Sequence, residues 1–68
     1  MKLSARNQLS GVVTAIKEGG VEAQVSVDVG GQTITSVVTV DAVKDLGLAV
    51  GSKVVAVIKA DHVMLATD

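Results

Sequence analysis

The feature that most constrains the fold is a nine-residue alternation enclosed by two pairs of glycines. Within Val21–Val29 the odd positions are Val or Ala and the even positions are polar. A period of two is that of a β-strand with one buried face. The flanking pairs, Gly19-Gly20 and Gly30-Gly31, supply residues that adopt the positive φ of tight hairpin turns. The pattern therefore predicts that this strand pairs antiparallel with a neighbour on each side.

The neighbouring segments have the composition of strands, and a short helix follows them. Gly11–Lys17 is rich in β-branched residues, and Gln32–Val40 alternates Ile and Val with Thr. Beyond this stretch Asp41 is a typical helix N-cap, and Gly47 occupies a position where a left-handed residue would end the helix. We expect one or two helical turns between these two residues.

Two further apolar segments complete the predicted fold. Lys53–Lys59 contains five consecutive apolar residues, so we expect this strand to be covered on both faces. Val63–Ala66 predicts a last, brief strand. Five strands with one short helix between strands 3 and 4 are the element order of an all-β, small OB-like five-stranded barrel, with an SH3-like barrel as the alternative. We expect residues 1–68 to form a single domain.

The core must be built from small side chains, because the 68 residues include no Phe, Tyr or Trp. A domain of this size buries only about 60% of the surface of its unfolded chain. The chain has no Cys, which excludes disulfides, and its single His62 gives too few ligands for a structural zinc site, so we predict no metal. Subunit association is the remaining source of stability for so small a domain.

Composition also argues against several classes of function. A formal charge of −1 and the lack of aromatic residues argue against nucleic-acid binding, which needs basic charge or stacking surfaces. The chain has no phosphate-binding glycine loop and no nucleophile with a plausible base, so we do not expect an enzyme. It has no signal-peptide pattern and no apolar run near the roughly 18 residues of a membrane span. We therefore predict a soluble, cytoplasmic protein with no membrane partner.

Hydrogen-bond donors are concentrated in two places. Ser4–Gln8 precedes the first predicted strand, and Lys59 follows the fourth. A tetrahedral dianion offers only acceptors, so its site needs hydroxyl, amide N–H and cationic groups rather than carboxylates. The Ser4 hydroxyl, the Ala5 and Arg6 amides and Lys59 would supply that set. An exposed tail and a solvated lysine are the alternative interpretation of the same residues.

These residues carry a resemblance to the molbindins, small cytoplasmic molybdate- and tungstate-binding proteins built of a single Mop domain. The resemblance covers Lys2–Ala66. It rests on the opening run Ser4-Ala5-Arg6-Asn7-Gln8-Leu9 with Gly11, and on the later motifs Ile34-Thr35-Ser36, Leu46-Gly47 ahead of Gly51, and Val57-Ile58-Lys59-Ala60 with Val63-Met64. It implies an OB-like fold, a homohexamer arranged as a trimer of dimers, and bound molybdate or tungstate with no organic cofactor.

The resemblance also implies which residues bind the oxyanion between subunits. One subunit is expected to contribute Ser4, Ala5, Arg6 and Asn7, and its neighbour Lys59 and Ala60. A hydroxyl from Thr35 or Ser36 is expected to complete the site. Many family members have a hydroxyl residue where this chain has Ala60, so a side-chain hydrogen bond made at that position in those members is not expected here, whereas a backbone amide would be unaffected. A second oxyanion site near the three-fold axis is expected around Gly20, Val21 and Glu22.

The predicted function is reversible binding of molybdate or tungstate, for intracellular storage or homeostasis of molybdenum and tungsten. The alternative is a ligand-dependent regulatory or interaction module without a storage role, because similar domains occur fused to DNA-binding regulators and transporter ATPases. Neither kind of partner domain is present in this sequence, which favours a stand-alone binding protein.

Overall fold

A computed structural model describes residues 2–68, which form four strands, one short helix and a 3-10 turn. The strands make one antiparallel sheet in the order β3-β2-β1-β4. The prediction of a mostly β fold with a short helix between strands 3 and 4 is confirmed. The elements are β1 (Asn7–Glu18), β2 (Glu22–Val29), β3 (Gln32–Thr39), α1 (Val40–Asp45), β4 (Lys53–Ile58) and the 3-10 turn (Ala60–His62).

The long strand β1 joins the two halves of the sheet. Its first half pairs with β4, from Asn7 opposite Ile58 to Val12 opposite Lys53, and its second half pairs with β2. The prediction that the strand begins at Gly11 is wrong by four residues, because pairing with the distant β4 extends it to Asn7. Residues 7–10 therefore belong to the sheet and not to a tail.

The two glycine pairs form different turns. Gly30 and Gly31 connect β2 to β3 with φ of 58° and 90°, as the prediction of a tight turn requires. Gly19 and Gly20 do not adopt positive φ, so that part of the prediction is wrong. Their loop spans three residues and is closed by the Gly19 N–H, which donates to the Glu22 carbonyl oxygen at 2.8 Å. A loop of this length is not the two-residue turn that needs positive φ at both positions.

The helix is capped at both ends, although its N-cap is not the predicted one. Thr39 takes that place: its Oγ1 accepts a hydrogen bond from the Ala42 N–H at 3.0 Å, and Asp41 lies in the first turn. At the other end Gly47 has a φ of 63°, and the N–H groups of Gly47 and Leu48 each donate to a carbonyl of the last turn at 3.0 Å. This is a Schellman motif, so the predicted left-handed glycine is confirmed.

The core lies between α1 and one face of the sheet, which we call the inner face. Five buried side chains form it, and all are Val or Ala: Val13, Ala23, Val25, Val27 and Val43. At Gly11 the backbone of β1 passes so close to β2 that a Cβ would lie 2.5 Å from the Asp28 carbonyl oxygen. Small residues therefore form the core, and a glycine allows β1 to lie close to β2.

The predicted fifth strand does not form. Residues 63–66 follow the 3-10 turn without joining the sheet, and Met64 and Leu65 are 93% and 92% exposed. The composition of this segment favours a strand, but a strand also needs a paired neighbour, and the segment has none among residues 2–68. The chain therefore forms an open four-stranded sheet with edges β3 and β4, and not the closed five-stranded barrel that we expected.

Candidate functional site

The two donor-rich segments meet at one end of the β1–β4 pair. Asn7, the first residue of β1, lies opposite Ile58, the last residue of β4, and its Nδ2 donates to the Ile58 carbonyl oxygen at 3.1 Å. Lys59 follows Ile58 directly. A single chain therefore places the Ser4–Asn7 segment beside the start of the Lys59–Ala60 segment.

The N-terminal donors are held in place by a buried residue between them. Ala5 is only 8% exposed, and its carbonyl oxygen accepts a hydrogen bond from the Gln8 Nε2 at 3.3 Å. Ser4 and Arg6, on either side of it, are exposed. The arrangement fixes the backbone of this segment and leaves a hydroxyl and a guanidinium accessible to a ligand.

Both positive and negative side chains lie at this end of the β1–β4 pair, and the charged residues among the predicted site residues are cations. Arg6 and Lys59 are both exposed, and Asp61 in the 3-10 turn is an exposed carboxylate close in sequence. Exposed charges are screened by salt over about 8 to 10 Å, so two of them alone hold a small anion weakly. A selective site here needs several converging hydrogen bonds and exclusion of water.

Thr35 and Ser36 lie on opposite faces of β3. Ser36 is opposite Val25 on the inner face and is half-buried, whereas Thr35 is opposite Ser26 and is exposed. Both residues border an apolar cleft between β3 and β4, and Ile58 lines the same cleft. A hydroxyl of β3 and the last residue of β4 therefore border the same cleft.

The residues expected at the second site lie at the opposite end of β1 from Asn7: Gly20 and Val21 are in the loop between β1 and β2, and Glu22 begins β2. Val21 is 76% exposed, and its carbonyl oxygen accepts from the Val40 N–H at 2.8 Å. A Cβ on Gly20 would meet no atom within 4 Å, so the loop is open at that point. The Glu22 carboxylate accepts hydrogen bonds but does not donate them. Backbone N–H groups are therefore the donors that this loop can offer an anion.

Comparison with known protein families matches residues 3–65 to the TOBE domain. The chain belongs to the TOBE domain family. The chain superposes on MopII from Clostridium pasteurianum with a TM-score of 0.91 and 42% identity, over 97% of this chain and 100% of the other, so the resemblance to the molbindins is confirmed. Among the residues that the structure describes, this Mop domain has no cluster of His, Cys, Asp or Glu suited to a metal ion. None of the helices among residues 2–68 is long and apolar enough to cross a membrane.

Similar proteins carry names that refer to molybdenum. The Mop domain is 48% identical over 69 aligned positions to a probable molybdenum-pterin-binding protein of Haemophilus influenzae, covering 100% of both chains. It superposes on a molybdate-binding protein from Sporomusa ovata with a TM-score of 0.94 and 37% identity, covering 98% of this chain and 100% of the other. The cytoplasmic molybdate-binding protein ModG with molybdate bound gives a TM-score of 0.85 and 49% identity, over 88% of this chain and 43% of ModG.

Two contacts in this Mop domain were not predicted from its sequence. The Gln8 side chain supports the Ala5 carbonyl, and the Asn7 side chain ties β1 to the last carbonyl of β4. The second contact joins residues 51 positions apart and depends on strand register, for which no local sequence signal exists. Asn7 thus has a structural role in addition to the predicted binding role.

Proposed function

We propose that this Mop domain binds molybdate or tungstate reversibly at the end of the β1–β4 pair. The pairing of Asn7 with Ile58 is the observation that carries the proposal, because it brings the Ser4–Asn7 segment and Lys59 to the same end of the β1–β4 pair. The Ser4 hydroxyl, backbone N–H groups and the Lys59 ammonium suit a ligand that has only acceptors. The names of the relatives support molybdate as that ligand, and tungstate shares its charge and tetrahedral shape.

We further propose that the site is completed between copies of the chain, in a homohexamer built as a trimer of dimers. The accessible surface is 5327 Å², whereas about 4,000 Å² is typical of a folded monomer of 6.8 kDa. The excess is larger than the roughly 800 Å² that each partner buries in a standard interface. On β4, Val55 and Val57 are 42% and 43% exposed, so residues 2–68 leave one face of this strand partly open, although we expect both of its faces to be covered.

Two-fold symmetry explains how the donors would be shared. In a two-fold contact, a segment of one copy that touches a second segment of the partner implies the reverse contact as well. Each pair of contacting segments therefore occurs twice. If the contact includes the end of the β1–β4 pair, Ser4–Asn7 of one copy faces Lys59 and Ala60 of the other, and two equivalent anion sites result. A hydroxyl of Thr35 or Ser36 would add a donor from β3. Gly20, Val21 and Glu22 would form the separate site near the three-fold axis.

The proposed role is storage and homeostasis of molybdenum or tungsten in the cytoplasm, without covalent chemistry. Relatives of the chain are named for what they bind and not for a reaction, and one of them is described as cytoplasmic. A site of hydrogen bonds and one or two cations releases its ligand by simple dissociation. Such reversible binding suits a store from which the anion is later withdrawn.

Titration calorimetry of the purified protein tests this function. We expect saturable heat with molybdate and with tungstate, and little heat with sulfate in the same buffer. Light scattering on the same sample reports whether the protein is an intact oligomer. An intact oligomer that gives no heat with either metal oxyanion would contradict the proposal and would favour an interaction module.

A further inference from the structure

We propose that Gln8 is a positioning residue of the anion site, because it holds the peptide unit between Ala5 and Arg6 with the Arg6 N–H turned towards the anion. The inference rests on the function proposed above and adds a residue that the predicted site does not contain. It concerns the N-terminal donors, where the Gln8 side chain reaches back to the residue three positions before it.

The contact joins a residue of the sheet to the segment that precedes the sheet. Gln8 is the second residue of β1 and lies opposite Val57 of β4, so the sheet fixes its backbone. Its Nε2 donates to the Ala5 carbonyl oxygen at 3.3 Å. Ala5 is itself buried. The Ala5 carbonyl is therefore held from two sides, by the burial of its own residue and by a side chain of β1.

The geometry of a peptide unit passes this constraint on to Arg6. The peptide bonds of residues 2–68 are all trans. A trans unit is planar, and its C=O and N–H groups point in opposite directions. The Ala5 carbonyl belongs to the same unit as the Arg6 N–H. Anchoring the oxygen by Gln8 therefore turns the Arg6 N–H to the opposite side of the segment.

The Arg6 N–H can donate to a ligand in this orientation. It donates to no backbone carbonyl among residues 2–68, and Arg6 is exposed. A dianion has only acceptors, so it is attracted by an N–H group and repelled by a carbonyl oxygen. Rotation of the unit would present the Ala5 oxygen in place of the N–H. Gln8 opposes this rotation, and its hydrogen bond polarises the unit and strengthens the N–H as a donor.

The adjacent side chain makes a corresponding contact with β4. Asn7 Nδ2 donates to the Ile58 carbonyl oxygen, which shares a peptide unit with the Lys59 N–H. Two consecutive carboxamide side chains thus each anchor the carbonyl directly before a cationic residue of the predicted site. Asn7 is itself expected at the site, so Gln8 is the one that can be replaced without removal of a predicted ligand.

Calorimetry of Gln8→Met tests the inference. Methionine is unbranched and similar in length to glutamine, but its side chain has no N–H group. We expect the affinity for molybdate to fall about 2- to 12-fold, which is the ratio that corresponds to one net hydrogen bond. Gln24→Met is the matched control, because Gln24 is exposed on β2 and lies opposite Lys17, near the other end of β1. Equal affinities of the two variants would overturn the inference.

The amide signal of Arg6 distinguishes positioning from direct contact of Gln8 with the anion. In the ¹⁵N-labelled wild-type protein we expect the Arg6 amide proton to shift downfield on saturation with molybdate, because it gains an acceptor. This shift should be smaller in saturated Gln8→Met and unchanged in Gln24→Met. A wild-type Arg6 signal that does not move, or a shift of full size in Gln8→Met, would overturn the inference.

Two further measurements separate these outcomes from loss of structure or of function. Urea unfolding and light scattering should show Gln8→Met to be as stable as Gln24→Met and equally oligomeric. If Gln8→Met does not assemble, the wild-type Arg6 signal decides alone. Wild-type protein that gives no heat with molybdate would contradict the proposed function and this inference with it. Normal wild-type binding with unchanged affinity in Gln8→Met would overturn this inference only.

Discussion

At position 11 the backbone of β1 leaves no room for a side chain. A Cβ there would lie 2.5 Å from the Asp28 carbonyl oxygen and 2.7 Å from a methyl group of Val27. We expect Gly11→Ala to lower the free energy of unfolding by about 1–3 kcal/mol, as overpacking commonly does. Gly20→Ala is the control, because a Cβ there meets no atom within 4 Å. Urea unfolding at one protein concentration measures both, and equal midpoints would contradict this interpretation.

Lys59 is the residue on which the proposed anion site depends most. A hydrogen bond to a charged group contributes roughly 1.5–3 kcal/mol, so Lys59→Ala should weaken molybdate binding about 10- to 150-fold. Lys53→Ala removes the same charge from the other end of β4 and should change the affinity little. Calorimetry gives both affinities, and light scattering should show intact oligomers. An unchanged affinity for Lys59→Ala would remove this residue from the site.

Among the elements, α1 is short enough to depend on its caps. Thr39 Oγ1 accepts from the Ala42 N–H at 3.0 Å, and loss of such a cap costs about 1 kcal/mol. We expect Thr39→Ala to destabilise the protein by that amount and Thr39→Ser to recover most of it. Thr33→Ala, also in an exposed position of β3, controls for the loss of a β-branched residue. If Thr39→Ala and Thr33→Ala unfold at the same urea concentration, the cap makes no separate contribution.

The elements differ in how far the sequence alone could predict them. The alternation of Val21–Val29 is a local signal, and β2 was found almost at those bounds. The first residues of β1 were missed because their strand partner lies about 50 residues away. Residues 63–66 have the composition of a strand but do not join the sheet, because composition does not provide a strand with a paired neighbour. In the same way the sequence indicates the donor chemistry of Ser4 and Lys59. Their location at the same end of the sheet follows from the register of β1 on β4, which the sequence does not reveal.

At the scale of the whole molecule, the exposed side of β4 links assembly to binding. Val57→Asp would place an unpaired carboxylate in the surface that we propose is covered, so we expect smaller species and loss of molybdate binding together. Gln24→Asp is the control, since Gln24 is exposed on β2 and lies opposite Lys17. Size-exclusion chromatography with light scattering and calorimetry measure the two effects. A Val57→Asp monomer with normal affinity would contradict a site shared between subunits.

The pairing of Asn7 with Ile58 also has a consequence for folding kinetics. This contact joins residues 51 positions apart, whereas short loops connect β1 to β2 and β2 to β3. Closing a long loop is slower and costs more entropy, so we expect the three-stranded meander to form first and β4 to dock last. The proposed anion donors would then assemble after the transition state for folding. Bound molybdate should therefore slow unfolding and leave the folding rate nearly unchanged.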